Sequence, residues 1–146
     1  MVTAQAFLLT YNPAYWLWPL NERTTPRLGS WNVGRRTGGV SPDDDVYVLQ
    51  QGASGRGLLA RGVATSPVFE EPHWDGIAGH RTHSIEVQWL EIATSPVIET
   101  AELRYAVPGM HWAPRQSGAL VPAAATLRLK EVWLDAWTSH LPTSNG

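Results

Sequence analysis

Ala6-Phe7-Leu8-Leu9-Thr10-Tyr11-Asn12-Pro13 sets a short apolar run against an abrupt polar stop, with Tyr15, Trp16 and Trp18 close behind. A run this short reads as a buried strand. Asn12-Pro13 ends it, because proline lacks the N–H that a ladder needs and asparagine accepts turn geometry. Tyr11 and Asn12 therefore stand on a polar lip at the mouth of a first strand. A flat ring beside an amide that both donates and accepts can stack on a planar polar ligand and read its edge. The plainer reading of the same pair is an ordinary strand end closed by an Asx turn.

Beyond this lip, residues 19–41 hold Pro, Thr, Gly and paired Arg with little periodicity, so residues 28–34 read as a surface loop with a short strand inside it. Pro42-Asp43-Asp44-Asp45 makes a turn before Val46-Tyr47-Val48-Leu49-Gln50-Gln51, whose alternation sends Val46 and Val48 to one face and Tyr47 and Leu49 to the other. A glycine loop over residues 52–57 leads to the apolar run 58–63, which predicts an antiparallel pair. Residues 84–90 alternate as well, with Ile85, Val87 and Trp89 inward and Glu86 and Gln88 outward. Ala64-Thr65-Ser66-Pro67-Val68 recurs as Ala93-Thr94-Ser95-Pro96-Val97 between unrelated flanks, a strand-ending device used twice. Residues 99–106 spell a short helix. Pro122 at a first helical turn starts a longer one, with Ala125, Leu129, Val132 or Trp133, and Ala136 at helical spacing. The prediction is an α+β domain over residues 1–138, most economically a small barrel of mainly antiparallel strands with helices at its ends. Residues 139–146 are expected to form a disordered tail.

A chain of 146 residues fits one domain with a real core. The absence of cysteine excludes a disulfide framework, a zinc ribbon and a thiol nucleophile, and agrees with a reducing compartment. No apolar run approaches a membrane span and no signal peptide is legible, so a soluble, cytoplasmic protein without membrane partners is expected. The net charge of −2 argues against binding nucleic acid through bulk charge. Yet charge is segregated along the chain. Residues 1–41 carry Arg23, Arg27, Arg35 and Arg36 against Glu22, residues 69–102 carry seven acids against Arg81, and residues 103–130 carry Arg104, Arg115, Arg128 and Lys130 with no acid. All cations but Lys130 are arginines, the side chain suited to bidentate phosphate and base contacts, although codon bias in a GC-rich genome gives the same preference. Eight tryptophans exceed what a core of this size needs, so some are expected to line a site.

For chemistry, His73, Asp75, His80 and His83 are the one cluster of metal-ligand types. Gly76 and Gly79 break the helix that would align His80 with His83, so a solvated loop is expected and no metal. The run Asp43-Asp44-Asp45 lacks the spaced oxygens of a calcium loop. No Gly-x-Ser-x-Gly elbow or other frame places a nucleophile, and Asp75 and His111 are the sole candidates for a general acid or base. No catalytic residue and no cofactor are assigned. Arg115-Gln116-Ser117 supplies a cation, an amide and a hydroxyl just before the strand-like Ala119-Leu120-Val121, either as a site held at a sheet end or as a polar turn over Trp112.

Taken together, these stretches resemble the SRA-like, EVE-like domains of the PUA superfamily found in McrA-type modification-dependent (type IV) restriction endonucleases. The resemblance runs nearly end to end: residues 7–13 with Trp16 and Trp18, residues 31–34, 45–52 and 56–63, Glu71-Pro72-His73-Trp74-Asp75, and residues 109–118. It implies a pseudo-barrel with a short helix and a C-terminal helix. It also implies a DNA-binding recognition module that flips a modified cytosine, 5-methylcytosine or 5-hydroxymethylcytosine, into an aromatic pocket. By the same resemblance Tyr11, Asn12, Trp31, Tyr47, Gln116 and Ser117 form the base pocket, and Arg35, Arg36, Arg56 and Arg115 touch the DNA backbone or groove. Tyr11 stands where many relatives have Trp, and Arg115-Gln116-Ser117 where they tend to have Gln-Ser-Ser. The family usually joins this domain to an HNH-type nuclease, so a nuclease domain or partner chain is the implied companion. The same scaffold serves elsewhere as an RNA-binding module, the second reading.

Overall fold

Alternation along each strand sorts the apolar side chains to two sides of one sheet, and the described helices cover one of them. The computed structural model describes residues 4–15, 27–53, 55–73 and 75–140. In chain order these form β1 (Ala6–Tyr11), β2 (Arg27–Asn32), β3 (Asp45–Gln50), β4 (Gly57–Ala64), β5 (Phe69–Pro72), β6 (Arg81–Ile92), β7 (Ile98–Glu99), α1 (Thr100–Ala106), β8 (Ala119–Leu120) and α2 (Ala123–His140). The eight strands join in the order β2-β6-β4-β3-β1-β8, with β5 on β6 and β7 on β4. β1 and β3 run parallel, Leu8 opposite Tyr47 and Tyr11 opposite Gln50, while the other pairings are antiparallel. The fold is α+β, as the sequence predicts at that level. Among the described residues no helix is long and apolar enough to cross a membrane.

Phe7, Leu9 and Tyr11 of β1 share one side with Val46 and Val48 of β3 and with Ile85, Val87 and Trp89 of β6. Trp31 of β2 joins them, edge-on to Trp89 with ring centroids 5.7 Å apart. Among the described residues, none from a helix belongs to this cluster. Leu8, Tyr47, Leu49 and Leu58 face the other way, where Leu103 of α1 and Ala125, Leu129 and Trp133 of α2 cover them. The three α2 residues recur every fourth position, the spacing that puts one apolar stripe on the sheet. Burying each large apolar side chain contributes about 1.5–3 kcal/mol, so both faces stabilise the fold.

Three segments differ from the sequence reading. β2 is an edge strand paired with β6 from Arg27↔Trp89 to Asn32↔Ser84, longer than the short strand expected within a loop. Its residues have weak strand propensity, and the long partner supplies the hydrogen bonds that local sequence does not advertise. β6 itself is 12 residues long and extends past both ends of the run 84–90. α2 continues through Ser139 and His140, which were expected in the tail. Residues 141–146, like Trp16, Trp18 and Trp74, lie outside the described residues.

Beneath α2 lies a charged cluster that sequence pattern did not announce. Arg61 Nη1 donates to Asp45 Oδ1 at 3.1 Å, and Nε and Nη2 donate to the two carboxylate oxygens of Glu91 at 2.6 and 3.3 Å. Trp133 Nε1 donates to the same Glu91 oxygen at 2.9 Å, and Lys130 Nζ lies 3.9 Å from Asp45 Oδ2. Burial opposes the Arg61 charge, but the hydrogen bonds and charges of Glu91 and Asp45 outweigh it and raise its pKa. Tyr47 sits opposite Arg61 in register; its hydroxyl has no hydrogen-bond partner among the described residues. Its pKa is pushed up, first by burial and then by the Asp45 charge.

Candidate functional site

The ends of β1 and β2 are held together by one hydroxyl. Ser117 Oγ donates to the Asn32 carbonyl at 2.7 Å and accepts the Thr10 N–H at 3.0 Å. Trp31 Nε1 adds a bond to the Thr10 carbonyl at 3.2 Å. Two glycines let the flanking loops approach this closely. Gly34 and Gly118 adopt φ of +62° and +92°, and a Cβ on Gly118 would lie 2.6 Å from the Val33 carbonyl oxygen. A Cβ on Gly34 would lie 2.8 Å from the Ser117 carbonyl oxygen. Both the dihedrals and the space exclude other residues.

Where these loops meet, a cleft of about 750 Å³ opens, lined by Arg35, Arg36, Pro114, Arg115, Gln116 and Ser117 among others. Five of the residues assigned from sequence thus converge on one place. Gln116 Oε1 accepts the Arg35 N–H at 3.3 Å, which orients the amide and leaves its Nε2 to donate. Arg35 and Arg115 are exposed, and neither forms an ion pair with a described residue. Arg36 has a different place. Its Nε donates to the Gly118 carbonyl at 2.7 Å and its Nη1 to the Gly38 carbonyl at 3.3 Å, with the guanidinium 4.9 Å from the Phe7 ring centre. It braces the cleft wall as well as lending it charge.

Tyr11, Asn12 and Trp31 do not line this cleft; Tyr11 and Trp31 are tied to it through Thr10, whose N–H donates to Ser117 Oγ and whose carbonyl accepts the Trp31 Nε1–H. Tyr11 and Trp31 are 5% and 4% exposed, together on the side of the sheet away from the described helices. Burial pushes the Tyr11 pKa up, so its hydroxyl stays protonated. Asn12 Oδ1 accepts the Ala14 N–H at 2.9 Å, the Asx turn that was the plainer of its two readings. Gln51 Nε2 donates to the Pro114 carbonyl at 2.9 Å, tying the end of β3 to the cleft wall. Nothing local in the sequence announces that contact.

Tyr47 and Arg56 do not join this group. The parallel register sets Tyr47 beside Leu8, so its ring falls on the helix side, edge-on to Trp133 at 6.2 Å and fully buried. Arg56 lines a separate cleft of about 330 Å³ with Glu99, Thr100 and Arg104. Ser117, expected to read a ligand edge, has its one proton committed to the Asn32 carbonyl.

In the loop between β5 and β6, His73 and His80 place Nδ1 at 3.2 and 3.0 Å from Asp75 Oδ2. The His80 bond, and then the Ile77 N–H, hold the Asp75 carboxyl below its ordinary pKa. Among the described residues no group of three or more His, Asp or Glu is placed to hold a metal ion. Neither Asp75 nor His111 lines the cationic cleft. What the cleft offers is cations, an oriented amide donor and a rigid wall, a set suited to a planar polar ligand attached to anionic groups.

No protein-family model and no curated protein matches the chain. Among solved structures, a hypothetical protein from Leishmania major superposes with a TM-score of 0.65 at 10% sequence identity, over 95% of this chain and 98% of that one. That likeness shows a shared fold.

Proposed function

We propose that this chain is a non-catalytic reader of DNA that binds a modified cytosine, 5-methylcytosine or 5-hydroxymethylcytosine, by taking it out of the stack. In that role it is the recognition module of a restriction system whose cleavage is carried out by an HNH-type domain or a partner chain. The observation that carries this reading is the convergence of Arg35, Arg115 and Gln116 on one cleft, whose Ser117 is tied through Thr10 to the ends of the strands that carry Tyr11 and Trp31. Its volume falls within the range of about 300–1,000 Å³ usual for small-ligand sites, enough for one nucleotide.

Each part then has a task. Arg35 and Arg115 hold the phosphates on either side of the base, and the Gln116 Nε2 donor reads an acceptor on its edge. Extruding a base costs a few kcal/mol, and stacking on an aromatic ring returns about 1–3 kcal/mol per base, so edge bonds decide which base stays. Tyr11 and Trp31 are buried and do not line the cleft, so stacking of the base on either ring requires a local rearrangement. A pseudo-barrel is the matching fold. It is supported by the cluster around Trp89, which among the described residues is built from strands and loops, and by the Ser117 staple between β2 and β1. Register shifts at Val48/Leu49 and Arg61/Gly62 add the local twist such curling needs.

The same cleft chemistry would serve an RNA-binding module. A competition at fixed salt separates the two: labelled duplex DNA bearing the modified base is expected to be displaced by its own unlabelled copy and not by single-stranded RNA of the same sequence. Stronger displacement by RNA would transfer the site to the RNA reading.

A further inference from the structure

Arg56 and Arg104 both line the smaller cleft of about 330 Å³ beside the loop between β3 and β4. Both are exposed, and neither forms an ion pair with a described residue, although Glu99 lines the same cleft; Glu102, two residues before Arg104 on α1, points to a different face of the helix. Two guanidinium groups facing one hollow repel each other, and an anion between them would reverse that sign. The backbone beneath them is fixed. Arg56 O accepts the Thr100 N–H at 2.9 Å, coupling the loop to α1, and Gln50 Nε2 donates to the Gly55 carbonyl at 3.0 Å. Thr100 and Arg104 stand four residues apart on α1, so the helix presents both to the same side.

This hollow adjoins the end of the molecule that carries the larger cleft. Arg56 Nε donates to the Gly52 carbonyl at 3.4 Å, and Gly52 packs against Asn12, where a Cβ would meet Asn12 Oδ1 at 2.7 Å. The neighbouring Gln51 donates to Pro114, which lines the larger cleft. Arginines therefore run from Arg35 and Arg115, past the Asn12 lip, to Arg56 and Arg104.

We infer that Arg56 and Arg104 form a second phosphate subsite, which holds the backbone of the nucleic acid strand to one side of the base taken into the larger cleft. The inference rests on the DNA reading above and adds Arg104, a residue outside the resemblance. The ligand chemistry is a phosphodiester, held by charge and not by base identity. Such a subsite strengthens binding to any sequence and leaves the preference for a modified base unchanged.

The test is a titration of the full chain and of its Arg56→Ala, Arg104→Ala, Arg104→Lys and Arg56→Ala/Arg104→Ala variants against modified and unmodified duplexes across a range of salt. Melting temperature confirms folding. Each alanine variant is expected to weaken both duplexes alike, by about fivefold or more, and to lower the salt slope by about 0.9. Arg104→Lys is expected to keep most of the slope. If the wild type binds and the folded double variant matches its affinity and slope, the subsite is overturned while the reader stands. A loss confined to the modified duplex also overturns it, by making the pair base readers. If the wild type binds no duplex, subsite and reader fall together.

Discussion

Arg61→Ala is expected to lower the free energy of unfolding by about 3–5 kcal/mol, the largest stability effect of any single exposed-charge or buried-charge substitution in this chain. Arg61 is 7% exposed and is the shared partner of Asp45 and Glu91, so its removal strips the main cation from one buried and one half-buried carboxylate, leaving Asp45 the more distant Lys130 and Glu91 the Trp133 N–H. Deleting one member of such a cluster costs far more than replacing the whole of it. Arg61→Met combined with Asp45→Asn and Glu91→Gln is therefore expected to recover most of the loss. The Trp133 Nε1 donor can still find an acceptor in the new amide at 91. Urea unfolding of the three proteins checks this. An Arg61→Ala variant within about 1 kcal/mol of wild type would mean that the cluster is exchanged freely with water.

The largest effect on binding is expected from the Arg35→Glu/Arg115→Glu double variant. Hydrogen bonds to charged groups contribute about 1.5–3 kcal/mol each, so reversing both charges is expected to weaken duplex binding by about 100-fold or more. Both side chains are exposed, so the melting temperature should stay near that of wild type. Gln116→Ala sets the contrast. Its amide bonds the Arg35 N–H and offers Nε2 to the cleft, so affinity for unmodified DNA is expected to persist while any preference for 5-hydroxymethylcytosine, whose hydroxyl adds an acceptor, falls about tenfold. Fluorescence anisotropy with paired duplexes separates the two patterns. Equal preference in Gln116→Ala and wild type would remove Gln116 from the reading edge.

Much of this architecture was legible in the sequence because it rests on short periods. The alternation that splits Val46 and Val48 from Tyr47 and Leu49 holds, and so do the inward Ile85, Val87 and Trp89 and the α2 stripe of Ala125, Leu129 and Trp133. What was hidden depended on partners far along the chain. Nothing local says that β1 pairs in parallel with β3, and that pairing is what sends Tyr47 away from Tyr11. Arg61 sits inside an apolar run, and its acids lie 16 and 30 residues away.

The candidate site divides in the same way. Arg115-Gln116-Ser117 could be recognised as a polar loop at a sheet end. That Ser117 holds Asn32 and Thr10, 85 and 107 residues away, could not. The Gly118 that follows it was the one local sign of a close approach, since it admits a conformation and a spacing closed to other residues. Arg36 likewise shows its bracing role only when Phe7 and Gly118 are beside it.

Recognition of modified cytosine is tested by titrating the purified chain at fixed salt. The ligands are otherwise identical DNA duplexes carrying cytosine, 5-methylcytosine or 5-hydroxymethylcytosine. Binding of one modified duplex at least about tenfold tighter than the unmodified one is the expected result, a difference of about 1.4 kcal/mol that one edge contact can supply. Equal binding of all three, or binding of none, would contradict it.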